Sequence, residues 1–180
     1  MPLVVTVPSA KLFNEDTEEF FEIKETKLKL EHSLVSIHKW EKEYEKPFLD
    51  GIQDGEETIF YIKCMTLTQN VDPNIYLALP KKVLNEIDDY IARPMTATTI
   101  TEHGPKRGRS QKITSELVYY WMITLHIPIE FQKWHFNTLM TLIRVCQLEN
   151  EEPKMMSKNE ILRQNKAIRD SRRAKKKARR

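Results

Sequence analysis

The chain reads as an α+β protein, predominantly α: a small N-terminal antiparallel sheet, then a helical body, then a basic helical arm. Three observations predict this. Apolar and charged residues partly alternate between Phe20 and Leu30, apolar spacing changes to three and four from Ser33 onward, and only four glycines occur in 180 residues. Alternation marks half-exposed strands, and steps of three and four mark helices. So few glycines argue against a sandwich or barrel with many tight turns, and against a Gly-rich phosphate loop.

Val4, Val5 and Val7 open the chain as a strand that Pro8 interrupts. Phe21, Ile23, Leu28 and Leu30 then predict an antiparallel strand pair turning near Glu25-Thr26, so three short strands form the sheet. Ser33 is a fitting N-cap for a helix carrying Leu34, Ile37, Trp40, Glu41 and Tyr44, ended by Pro47. After the turn dipeptides Asp50-Gly51 and Asp54-Gly55, a second helix presents Ile59, Ile62, Cys64, Met65 and Leu67. A short turn holds Ile75 and Tyr76, and Pro80 suits the first position of a helix with Val83, Leu84, Ile87, Tyr90 and Ile91. Met95 to Thr101 is expected to be a strand or extended ribbon, and His103 to Lys112 an exposed basic loop. Thr114 or Ser115 caps a helix through Leu117, Val118, Tyr120, Trp121, Ile123 and Leu125. After His126-Ile127-Pro128, a longer helix is expected to carry Phe131, Trp134, His135, Leu139, Leu142, Ile143, Val145 and Cys146. The apolar arcs of these two helices are wide, which places the pair at the centre of the fold as a hairpin or bent corner. Ser157 and Glu160 form a capping box for a last helix. The boundaries predicted are 1–32, 33–150 and 151–180.

The net charge of +3 conceals an asymmetry. Residues 153–180 hold twelve Lys and Arg against Glu160 and Asp170, a net of +10, while the rest of the chain holds 17 basic and 24 acidic residues, a net of −7. An acidic body with a cationic arm suits a polyanion or an acidic protein surface. The polyanion candidates are Lys106, Arg107, Arg109 and Lys112 in the loop, and Arg169, Arg172, Arg173, Lys175, Lys176, Lys177, Arg179 and Arg180 in the arm. Any nucleic-acid binding they support is non-specific and salt-sensitive, because no groove-reading motif is present. Cys64 and Cys146 sit in apolar helical stretches and are expected as buried free thiols. The N-terminus lacks a basic, apolar leader, and no window reaches 18 apolar residues, so neither a signal peptide nor a membrane span is expected.

His126, His135 and Cys146 are ligand types without the close spacing of a zinc motif, so no metal and no cofactor is expected. Ser115 beside Glu116, and Cys146 with His135, lack the local context that activates a nucleophile, and Glu15-Asp16 and Asp88-Asp89 read as solvated acids. The expectation is no enzyme. The aromatic run Tyr119, Tyr120, Trp121, Trp134 and Phe136 reads mainly as core, with Tyr119 or Trp134 facing a partner. All four of Tyr119, Tyr120, Trp121 and Trp134 are partner-binding candidates.

Several stretches carry a resemblance. Ile113 through Met122, Gln132 through His135, and Leu142 through Cys146 are joined by Leu30-Glu31-His32-Ser33-Leu34-Val35-Ser36, Trp40-Glu41 to Lys46-Pro47-Phe48, and Pro94 through Thr98. Over about residues 28–165 the chain resembles a family encoded by tailed bacteriophages, whose members are tail assembly chaperones or phage structural proteins. The resemblance implies a small non-enzymatic factor of virion morphogenesis that binds the tape-measure protein in the bacterial host cytoplasm, possessing no catalytic residues to carry over. Members of that family are extended by ribosomal frameshifting, a habit that the lysine-rich end of this chain suits. The alternative it leaves open is a head, neck or tail component of the virion whose basic arm contacts DNA or an acidic neighbour. A homo-oligomer is compatible with either.

Overall fold

The computed structural model describes residues 2–14, 19–99 and 112–150, together with positions 162, 165, 166, 168 and 169. It is α+β and mostly helical, as the sequence predicts. The chain divides into two units, Met1–Cys146 and Gln147–Arg180.

The N-terminal alternation folds into four strands rather than three. β1 (Leu3–Val7) pairs antiparallel with β4 (Thr26–Leu30), and β2 (Ala10–Asn14) pairs antiparallel with β3 (Glu19–Ile23). The predicted partnership of β3 with β4 is therefore corrected. Leu3 faces Leu30, Val7 faces Thr26 and Ala10 faces Ile23, so one register runs through both ladders. The two pairs are one long hairpin, interrupted at Pro8-Ser9 opposite Lys24-Glu25. Pro8 has no N–H to give to a ladder, which accounts for the break. Val5, Val7, Leu28 and Leu30 point inward and are buried, while Val4, Lys27 and Lys29 point outward. Each inward side chain contributes roughly 1.5–3 kcal/mol of burial. Residues 66–68 cover the outer edge of β4: Leu67 N–H donates to Lys29 O at 2.7 Å, and Glu31 N–H to Met65 O at 2.9 Å.

Among the described residues, the named helices that follow are α1 (Leu34–Tyr44), α2 (Gly55–Met65), α3 (Lys81–Ala92), α4 (Ser115–Thr124) and α5 (Phe136–Asn150). Short 3-10 turns lie at Phe48–Asp50, Pro73–Ala78 and Ile129–Lys133. Ser33 caps α1 as expected, in a reciprocal box: Ser36 N–H donates to Ser33 Oγ and Ser33 N–H to Ser36 Oγ. Ser33→Ala is expected to lower unfolding free energy by about 1 kcal/mol, read as a shift of the urea midpoint at unchanged m-value. Asp54 caps α2 and Thr114 caps α4. Pro80 lies one place earlier than expected, as the N-cap of α3.

The centre of the fold is α1, not the α4–α5 pair. Leu34, Ile37 and Trp40 are fully enclosed, and α2, α4 and the turns at 48–50 and 129–133 all pack on α1. In α4 only Ser115, Val118 and Met122 are buried. Its wide apolar arc is left partly in solvent, and it forms no hairpin with α5. Two further expectations change. Phe131, Trp134 and His135 fall outside α5, the first in the turn and the other two between it and the helix, and Leu67 lies beyond α2. The described part of the 95–101 ribbon, Met95 to Thr99, contains no strand.

In the second unit, the described positions Leu162, Asn165, Lys166, Ile168 and Arg169 are helical and exposed. The rest of the predicted arm helix, with its Ser157–Glu160 box, lies outside the described residues, as does the loop 103–111.

Candidate functional site

Residues Glu31, His32 and Ser33 link β4 to α1, and all three are buried. Strand ends and helix starts leave backbone groups to satisfy. Here the segment 135–136 satisfies them: Phe136 N–H donates to His32 O at 2.8 Å, and Ser33 and His135 form an antiparallel bridge. Around this junction the side chains form a buried polar network. Tyr90 O–H donates to Glu31 Oε1 at 2.6 Å, and the Tyr61 hydroxyl lies 2.5 Å from His32 Nδ1. His135 Nε2 lies 3.1 Å from Tyr90 O, and Asn137 N–H lies 3.3 Å from His135 Nδ1. These partners assign His135 the neutral tautomer that donates from Nε2 and accepts at Nδ1.

Electrostatics follow from burial. Desolvation, and the neighbouring His135 ring, push His32 down to about 3. His135 is also lowered by burial, against the opposing pull of the Tyr90 carbonyl and Glu31. Both imidazoles are neutral at physiological pH, with their rings 5.1 Å apart and edge to face. Burial raises Tyr61 and Tyr90 as well, so both remain phenols.

This network opens outward through Glu31 and His135. They line one cleft of about 360 Å³ with Met95, Lys133, Trp134 and Thr138. Trp134 stands at its rim, stacked on Phe131 at a centroid distance of 4.0 Å and an interplanar angle of 16°. Other apolar side chains are exposed as well. Tyr120 and Ile123 of α4 are 60 % and 74 % exposed, Ile129 is exposed, and Trp134 is 42 % exposed. Of the four aromatic candidates, Tyr120 and Trp134 present their rings to solvent. Tyr119 and Trp121 are partly buried against the core, and Tyr119 O–H donates to Gln132 Oε1 at 2.9 Å.

The other candidates are dispersed. Ser115 is buried and meets His38, whose Nδ1 lies 3.0 Å from Ser115 Oγ. Among the described residues no group of three or more His, Cys, Asp or Glu is placed to hold a metal ion. His126 has a structural task instead. It sits at φ 56° after α4, where His126 N–H reaches Ile123 O and Ile127 N–H reaches Met122 O, a Schellman closure. Cys64 and Cys146 are free but half-buried rather than buried, and burial pushes the Cys64 thiol up to about 11. Lys112 forms an exposed ion pair with Asp50 at 2.6 Å, and Arg169 Nε reaches back to Asn165 O at 3.4 Å. Lys106, Arg107, Arg109, Arg172, Arg173, Lys175, Lys176, Lys177, Arg179 and Arg180 lie outside the described residues. No helix among the described residues is long and apolar enough to cross a membrane.

Comparison with family models, curated proteins and solved structures returns no match for this chain. Sequence reasoning did not single out Glu31, His32, Tyr61 or Tyr90. The signal was a charged and a titratable residue placed between the buried Leu30 and the helix cap Ser33, where solvent is scarce.

Proposed function

We propose that the protein is a non-enzymatic bacteriophage assembly factor of the tail-chaperone type, which holds the tape-measure protein during tail morphogenesis. The observation that carries this reading is the exposed apolar surface of α4 and the turn after it, on a unit whose core is otherwise well packed. Tyr120, Ile123, Ile129 and Trp134 lie within fifteen residues of chain and are all exposed. A long helical partner offers apolar residues at three- and four-residue steps, and such a surface receives them by helix-in-groove contact. The family resemblance supplies the partner's identity.

Capture of the tape-measure protein by the tagged full chain tests the proposal. Ile123→Asp combined with Trp134→Ala is expected to weaken capture at least tenfold, about 1.4 kcal/mol, while the urea midpoint stays close to that of the parent. A chain that ignores the tape-measure protein, and is found as a stoichiometric component of finished particles, overturns it. That outcome belongs to a second reading, favoured by the split between a −7 body and a +10 arm. In it the protein is a structural virion component whose arm contacts DNA or an acidic neighbouring subunit. Particle proteomics separates the two, since a chaperone leaves and a component stays.

A further inference from the structure

We propose that the cleft between Glu31 and Trp134 is a receptor for an arginine side chain of a partner protein. The inference rests on the assembly-factor reading only for who carries the arginine; the chemistry of the cleft stands on its own residues. Glu31 is buried, yet it lines the cleft. Tyr90 O–H holds Oε1 at 2.6 Å, and no hydrogen bond among the described residues reaches Oε2. Tyr90 can only donate there, so the carboxylate is kept as an acceptor and is fixed in orientation. His135 does not neutralise it, because both ring nitrogens are committed to backbone groups of Tyr90 and Asn137.

The remaining lining fits a planar cation. Phe131 stacks on one face of the Trp134 indole and fixes its plane, and Trp134 and Glu31 line the same cleft. Thr138 Oγ1 donates to Met95 O at 2.8 Å, so its lone pairs remain to accept. A guanidinium stacks on an indole, forks onto a carboxylate and donates in several directions at once, which an ammonium does less well. The methylene stem would lie along Met95, whose thioether adapts to irregular apolar contact. Lys133 also lines the cleft. Its charge competes with an incoming cation, which gives the proposal a test of unusual sign.

The test uses the full chain and N-acetyl-L-arginine amide, titrated while amide and indole N–H resonances are followed. Saturable millimolar shifts of the Trp134 indole and of the amides of His135 and Thr138 are expected. The isosteric but uncharged citrulline analogue should leave them in place. Trp134→Ala should weaken binding at least threefold, Glu31→Gln at least tenfold, and Lys133→Ala should tighten it at least twofold. Should Glu31→Gln disturb the fold through Tyr90, the Lys133 and Trp134 variants carry the decision, as both residues are on the surface. Equal shifts from the citrulline analogue, or a weaker Lys133→Ala, overturn the proposal. Because no partner is present in this titration, its failure leaves the tape-measure reading untouched, and failure of that capture leaves the cleft chemistry standing.

Discussion

Glu41→Ala is expected to lower the unfolding free energy by about 2–5 kcal/mol, a large part of a small domain's stability. Glu41 sits on the inner face of α1 and is buried. Its Oε1 accepts from Phe48 N–H at 2.9 Å, and its Oε2 accepts from Ser115 N–H at 2.7 Å. Phe48 begins a 3-10 turn and Ser115 begins α4, so one carboxylate satisfies the first N–H of two helices that its own helix packs against. A negative group at those positive ends gains from both dipoles. Truncation leaves two buried N–H groups unpaired, each costing about 1–3 kcal/mol. Glu41→Gln is expected to cost about half as much, because one amide oxygen remains while the amide N–H₂ meets a donor. Urea denaturation at neutral pH reads both. A loss under about 1 kcal/mol for the alanine variant would show that the carboxylate is not what joins these helix starts.

How far the sequence discloses this arrangement depends on the range of the interaction. Local features were legible: the Ser33 cap, the termination of α1 before Pro47, and the run of Val83, Ile87 and Tyr90 along α3 all depend on residues within a turn of one another. Glu41 was visible only as a charged residue in the apolar stripe beside Trp40. Its partners Phe48 and Ser115 are 7 and 74 residues away, and nothing local names them. The hairpin failed for a related reason. Period two marks β3 and β4 as strands, but pairing them with each other rather than with β2 and β1 requires knowing that 24–25 is a break in a long ribbon and not its turn.

The helix 115–124 departs from what its pattern predicts. A wide apolar arc normally predicts burial on two sides, and here Tyr120 and Ile123 remain in solvent. The residue that ends the helix was also unmarked, because His126 takes the left-handed position where glycine is the usual signal. That closure seats Ile127 near Met122, both buried, and sends the chain into the turn that stacks Phe131 on Trp134. The turn carries the chain on to Trp134, and α4 keeps an exposed face, the one proposed to hold a partner.

Acidification from pH 6.5 to pH 4 is expected to destabilise the fold through His32 alone, by on the order of 1 kcal/mol per pH unit, with His135 adding to this over part of the range. The sign follows from the depressed imidazole. His32 is held down to about 3 when folded and titrates near 6.5 when unfolded, so between those values only the unfolded chain takes the proton. Its contribution to stability is complete above pH 6.5 and is lost as pH falls toward 3. Protonation would put a cation beside His135 and among the rings of Phe48, Tyr61 and Phe136, and it would leave Nδ1 only a donor toward the Tyr61 hydroxyl. Carboxylates also take up protons in the lower part of this window, so the variant His32→Asn separates the sources. Asn Oδ1 stands where Nδ1 stood and accepts from Tyr61 without ever becoming charged. The variant is expected to lose about 1–2 kcal/mol at pH 7 from missing ring contacts, yet to fall more gently with acid, by about one proton in the slope of stability against pH. Direct observation of the ring carbon Cε1 gives an independent check, since the His32 resonance should stay in its neutral position down to pH 4. A His32 ring titrating near 6, or equal slopes in parent and variant, would mean that the junction between β4 and α1 is open to water and does not hold its imidazole dry.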